Sequence, residues 1–189
     1  MKNLILLLSL LLIAFSVELA QDSTKQASPD VMQHSPEMGP PPEIQMLSVL
    51  EGSWNHVGRM RVTRDAEWTT HESKALFTYI VGGAAMQMDL TGDMDGMAVH
   101  GLAMITFDRR TKTWHETWVD NIEGRMYFYS GTFDNGVRIM QNAELMNGET
   151  IHTRITTYEI TSSGMLWKME QSTDGHDWWV SMEGTYTKE

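Results

Sequence analysis

Cysteine is absent from this chain of 189 residues. That excludes disulfides, thiolate nucleophiles and lipid attachment through a lipoprotein cysteine, so stability must come from an apolar core. Basic residues are scarce, with 14 Lys and Arg against 25 Asp and Glu and a formal net charge of −11. A domain so acidic repels nucleic acid and anionic membrane surfaces, so no nucleic-acid partner is expected. Proline is confined to five positions between Pro29 and Pro42. There is no G-x-S-x-G, no phosphate loop and no basic aromatic patch, and His71-Glu72 and His115-Glu116 lack the second histidine of a zincin helix. The one long uncharged run, residues 4–17, is shorter than the roughly 20 apolar residues of a membrane span.

That run follows Lys2 and ends in small residues, with Ala14-Phe15-Ser16 and then Ala20 as cleavage points. The pattern is that of a signal peptide over residues 1–20, implying export to the periplasm or the extracellular space and no membrane span in the mature protein. Cleavage removes one charge of each sign, Lys2 and Glu18, and leaves the net charge at −11. Residues 21–42 hold all the prolines among Gln, Ser, Asp, Met and Gly, a composition with little to bury, and read as a disordered leader. The ordered domain is expected over residues 43–189, and all seven tryptophans lie within it.

Ile44, Met46, Leu47 and Leu50 form a short helical patch closed by Gly52. Beyond it no window keeps a helical period. Short runs of Thr, Val, Ile, Tyr, Phe and Trp alternate with turn signals instead. Asn135-Gly136, Asn147-Gly148 and Asp174-Gly175 are the pairs that type I′ hairpins require. The spacing predicts an all-β domain of about ten antiparallel strands, near 54–63, 70–81, 84–91, 97–108, 112–120, 125–134, 137–146, 149–160, 165–173 and 176–187. Such a meander hides its edges by closing into a β-barrel, here with a short N-terminal capping helix.

Turn registers predict which face is interior. The Asp174-Gly175 turn sets Met169 opposite Val180 and Trp167 opposite Met182. The Ser162-Ser163 turn sets Trp167 opposite Tyr158 and Gln171 opposite Arg154. The Asn147-Gly148 turn sets Arg154 opposite Gln141 and Thr156 opposite Ile139. The resulting inner face carries Val137, Ile139, Ala143, Leu145, Tyr158, Trp167, Met169, Val180, Met182 and Tyr186. Arg138, Glu144, Glu159, Lys168, Glu170 and Glu183 fall outside. An earlier hairpin groups Val99, Gly101, Ala103, Ile105 and Phe107 with Trp114, Glu116, Trp118 and Asp120. Gly101 lies opposite Trp118, leaving room for the indole, and a bulge at residues 121–124 turns this face inward. Arg154 then enters the barrel, where a guanidinium that cannot lose its proton needs an anion, either Asp120 or Glu116. Such a pair either specifies the fold or, with Gln141 and His152 as further donors and Trp118, Asp120 and Trp167 around it, receives an anionic ligand.

The opening segment Leu47-x-x-Leu50-x-Gly52-x-Trp54 carries a G-x-W motif that resembles the signature of calycins, the lipocalin-like barrels. Val81-Gly82-Gly83, Gly101 before Phe107-Asp108, Trp118-Val119-Asp120, Gly131-Thr132-Phe133-Asp134 and Met182-Glu183-Gly184-Thr185-Tyr186 extend the pattern. In that order they resemble the family catalogued as domain of unknown function 1579, over roughly residues 44–187. The resemblance implies a lipocalin-like barrel, often exported, with Gly52 and Trp54 as structural marks at its closed end. It supplies no catalytic residue. Lipocalins usually cover the G-x-W tryptophan with a late Arg, and the nearest base here is Lys188. The related haem-binding nitrobindin barrels use a late His, whereas this chain offers His176 beside a turn, so haem is not expected.

Sixteen methionines are many, and Met86, Met88, Met94, Met97 and Met104 surround His100 in the sequence. Thioethers suit Cu(I), although Met also fills irregular cores. Asp93-Met94-Asp95-Gly96 copies only the middle of a calcium loop and reads as a hairpin tip. Glu116 and Asp120, four residues apart on one strand, are separated by roughly 13 Å, beyond the roughly 5–9.5 Å of glycosidase carboxylate pairs. No catalytic residue, metal or cofactor is therefore assigned. The expectation is an exported barrel binding a small apolar or amphipathic guest, preferably an anionic one. Its rival is a structural or interaction barrel with a filled core, and an enzyme or a Cu(I)-handling protein stands behind both.

Overall fold

Two Asn-Gly pairs set the tightest hairpins. Asn135 and Gly136 have φ of 50° and 76°, and Asn147 and Gly148 have 53° and 88°, the positive values that type I′ turns need at both central positions. In the computed structural model, which describes residues 39–94 and 96–189, ten antiparallel strands follow a 3-10 helical segment, Pro42–Leu50. They are β1 (Gly52–Met60), β2 (Thr69–Ile80), β3 (Ala85–Met94), β4 (Met97–Asp108), β5 (Thr113–Asp120), β6 (Met126–Asp134), β7 (Val137–Met146), β8 (Glu149–Tyr158), β9 (Gly164–Ser172) and β10 (Trp179–Lys188). Each pairs with its neighbour in sequence, and β10 returns to β1, closing the barrel. The expected signal peptide and most of the leader lie outside the described residues. Among the described residues no helix is long and apolar enough to cross a membrane.

One end of the barrel is plugged. Ile44, Leu47 and Leu50 are buried and recur every three residues, matching the three-per-turn period of a 3-10 helix. They sit on Trp54, which is fully buried and donates its indole N–H to Leu50 O at 2.6 Å. The Lys188 ammonium lies 5.3 Å from the Trp54 ring centroid, so a lysine fills the place lipocalins give to a late arginine. Phe77 meets the same indole edge-on, and Phe107 packs on Trp114 nearby.

The register explains which sequence-based facings hold. Gln141 pairs with Arg154 and Thr156 with Ile139, as their turn dictates. The next hairpin departs by one residue. Thr161 and Gly164 close the turn as expected, but Glu159 adopts φ 52° and puts an extra residue into the β8 arm. Tyr158 therefore pairs with Leu166 and Arg154 with Glu170, instead of Trp167 and Gln171. A one-residue slip exchanges the faces. It turns Arg138 and Met140 inward, while Ile139, Gln141, Ala143, Leu145 and Arg154 turn outward, and Leu145 is 74% exposed. The Asp174-Gly175 pair forms no two-residue hairpin. The Asp174 carboxylate accepts the N–H groups of His176 and Asp177 inside a longer loop. With a bulge between Val180 and Met182, Val180 stands opposite Glu170, Met182 opposite Met169 and Gly184 opposite Trp167, so neither expected pair across this loop forms.

The β6–β7 ladder is short, running from Ser130–Gln141 to Asp134–Val137. At Gly131 a Cβ would stand 1.8 Å from the Ile139 carbonyl oxygen, so only glycine lets the two backbones approach this closely. Beyond the ladder, Arg125 and Glu144 bridge the strands with a 2.8 Å ion pair.

Candidate functional site

The half of the barrel away from the plug is hollow. A cavity of about 500 Å³ is lined by inward residues of nine strands, β1–β6 and β8–β10, together with Arg138 of β7. Its walls are thioether, aliphatic and aromatic. Seven methionines take part, namely Met60, Met88, Met94, Met97, Met165, Met169 and Met182, with Ile105, Ile155, Leu90, Trp118, Tyr129, Trp167 and Tyr186. The space is left by small residues: a Cβ on Gly101 would stand 2.2 Å from the Trp118 indole, so the ring lies across the glycine. The indole does lean over Gly101 as the sequence suggests, although the register pairs Gly101 with Asp120.

Few polar groups converge on this space. Glu116 and Arg138 form a hydrogen-bonded ion pair with side chains only 8% and 9% exposed. Arg138 also approaches Thr157 Oγ1 at 3.4 Å, and its Nε has no partner. The guanidinium expected inside is that of Arg154; instead Arg138, expected outside, occupies the interior with Glu116 as its partner. Arg154, by contrast, lies on the outer face, 3.0 Å from Glu170 and stacked 4.2 Å from the Trp178 centroid. Gln141 is exposed beside it, and His152 borders a separate outer groove under Gly175 and Trp178. Of the residues expected around a ligand, Trp118, Asp120 and Trp167 line the cavity while Arg154, Gln141 and His152 do not. Asp120 meets no arginine. It accepts the Trp118 indole N–H at 2.8 Å and the Ile122 and Glu123 amides at 3.0 and 2.9 Å.

Two histidines that carried no expectation sit in the wall. The indole of Trp167 can only donate, so His56 Nε2, 2.9 Å away, is the bare acceptor nitrogen and Nδ1 carries the proton toward Ser73 Oγ at 2.8 Å. His56 is neutral in this arrangement. Burial, and then the neighbouring His71, push its pKa down to about 4. Gly58 and Gly184 make room for the cluster, since a Cβ on either would fall within 3 Å of an imidazole atom. His71, 8% exposed, also has a lowered pKa through burial, and its buried Nδ1 has no partner. Because the folded pKa of His56 lies below the unfolded value of about 6.5, the unfolded chain binds the extra proton first as pH falls. Stability should be full above pH about 6.5 and decline by about 3 kcal/mol as pH is lowered to about 4. Urea unfolding of the parent and of His56→Gln over this range checks it. The variant should show the shallower decline, and equal slopes would contradict the assignment.

The methionine cluster once centred on His100 is divided by strand alternation. His100 and Met104 face out, His100 bonding Asp89 at 3.0 Å, while Met88 and Met94 line the cavity and Met97, 48% exposed, stands at its edge. At the 93–96 tip, Asp93 Oδ1 accepts the Gly96 N–H at 2.7 Å, a closed hairpin turn. Among the described residues no three His, Asp or Glu side chains converge as a metal site.

The profile of a family described as proteins of unknown function, DUF1579, matches residues 39–188. The chain belongs to this family. The match covers the plug and all ten strands, so the closed, lipocalin-like barrel is the DUF1579 domain of this chain. Solved structures that share its fold include two of bacterial and algal origin. Rv2717c from M. tuberculosis superposes with a TM-score of 0.58 at 12% identity, over 79% of this chain and 99% of that one. The S-type phycobiliprotein lyase CPES from Guillardia theta superposes with a TM-score of 0.52 at 9% identity, over 77% and 91%. At such identities the likeness extends to the fold alone. No curated protein matches the chain.

Proposed function

We propose that this DUF1579 barrel is an exported binding protein that takes one small, neutral, apolar molecule into the cavity. The observation that carries the reading is the cavity volume of about 500 Å³. Ligand sites generally occupy about 300–1,000 Å³, with apolar walls and a few placed polar groups. A barrel filled by its own side chains would leave no such space. The lining opposes an anion, since Arg138 is the one guanidinium there and is already paired with Glu116, while Glu72, Asp93, Asp120 and Glu123 add negative charge; the mainly apolar walls favour a neutral guest. The preference for an anionic guest rested on Arg154 and goes with it. Methionine walls adapt to varied apolar shapes. Export is supported by Lys2, the apolar run at residues 4–17 and the small residues that follow.

The test is a titration with the neutral apolar fluorophore N-phenylnaphthylamine. Saturable enhancement at one probe per chain is expected, and Met169→Trp, which fills part of the cavity, should weaken it at least ten-fold. A parent protein with no saturable signal would contradict the reading, as would a variant that binds undiminished.

A further inference from the structure

Four soft donors line the cavity at the end of the barrel opposite the plug. Met94 ends β3 and Met97 begins β4, and the two are direct partners across the turn. Glu72 pairs with Asp93, so His71, one residue earlier on β2, stands across from Met94. On the other side His71 pairs with Gly58, and the next inward residue on β1 is Met60. All four side chains line the same cavity. The four residues stand on four consecutive strands, neighbours with facing Cβ atoms roughly 5 Å apart, and the flexible thioether chains would reach inward from either side of His71 to share one ion.

The histidine is the second, independent feature. His56 uses both ring nitrogens, on Trp167 and Ser73. His71 is more than nine-tenths buried and leaves Nδ1 without a partner. A buried imidazole nitrogen with nothing to bond loses the solvation it had in water, a cost of a kind native proteins rarely leave uncompensated. Thioether sulfur is too weak an acceptor to supply it, but an ion shared with those sulfurs would.

We propose that His71, Met94 and Met97, with Met60 as a fourth donor, form a site for one Cu(I) ion at the mouth of the barrel. Soft thioether and imidazole donors select Cu(I), whereas zinc, calcium and magnesium require thiolate, several imidazoles or carboxylate oxygens. The site differs from the methionine–His100 grouping of the sequence, whose histidine faces out. It does not require the apolar-guest reading, because the four donors define it by themselves, although they also line the upper part of the guest cavity.

The experiment is anaerobic competition of the full chain against the Cu(I)–bicinchoninate complex. The expected result is one Cu(I) withdrawn per chain, with affinity reduced at least ten-fold in Met94→Leu/Met97→Leu and in His71→Gln. Leucine preserves volume and apolar character, and an unchanged urea unfolding midpoint verifies that the barrel of the leucine variant is intact. Met104→Leu/Met126→Leu, at methionines exposed on the outer face and away from the cavity, should bind as the parent does. Failure of the parent to withdraw copper would overturn the site, as would equal affinity in the rim and exposed-methionine variants. Loss of fluorophore binding by the parent would count against the guest reading alone.

Discussion

Arg138→Met alone should destabilise the barrel by about 3–5 kcal/mol, because it strands the Glu116 carboxylate in the interior. The pair is nearly sealed, at 9% and 8% side-chain exposure, beneath Tyr129 and Tyr186. Replacing both members, as Arg138→Met with Glu116→Leu, removes the attraction and both desolvation penalties together. The double variant should be near neutral, so a double-mutant cycle in urea should show strong coupling. Arg154→Met should cost no more than about 1 kcal/mol, since Arg154 is 28% exposed and Lys168, at 3.0 Å, still neutralises Glu170. Additive effects at Arg138 and Glu116, or a larger loss at Arg154 than at Arg138, would contradict this arrangement.

Trp54→Ala should cost about 3–5 kcal/mol, the usual range for emptying a buried aromatic site. Three elements meet on this indole: the 3-10 plug through Leu50 O, β2 through Phe77 and the end of β10 through Lys188. Its loss unseats the plug and weakens the seam where the first strand meets the last. Urea midpoints of the purified variant measure the cost, and Trp54→Phe, which restores part of the volume, should recover about half. A change below about 1 kcal/mol would mean that the plug is not anchored there.

The fold was legible because turn chemistry is local. Asn-Gly pairs, Thr161–Gly164 and the Trp54 segment act through their own few residues, and strands and order follow from them. Facing is not local. A single left-handed residue, Glu159, reverses the side of every strand deduced through that hairpin, and Glu carries no sign of such a conformation. On β7 the alternation offers no rescue: Val137, Ile139 and Leu145 look more like a core than Arg138, Met140 and Asn142. The outward set is tolerated because its aliphatic residues share that surface with Gln141 and Arg154. The inward polar set is tolerated because Glu116 meets Arg138. Nothing in the sequence singles out His56, and His71 reads only as half of a zincin motif, for a related reason. Their room comes from Gly58 and Gly184, on strands joined only when the barrel closes.

Native mass spectrometry of freshly purified full-length protein bears most directly on the cavity's role. The account predicts one small apolar molecule per chain, released by collisional activation and absent from Met169→Trp. The bare chain mass alone, together with no one-to-one adduct after incubation with N-phenylnaphthylamine, would contradict it.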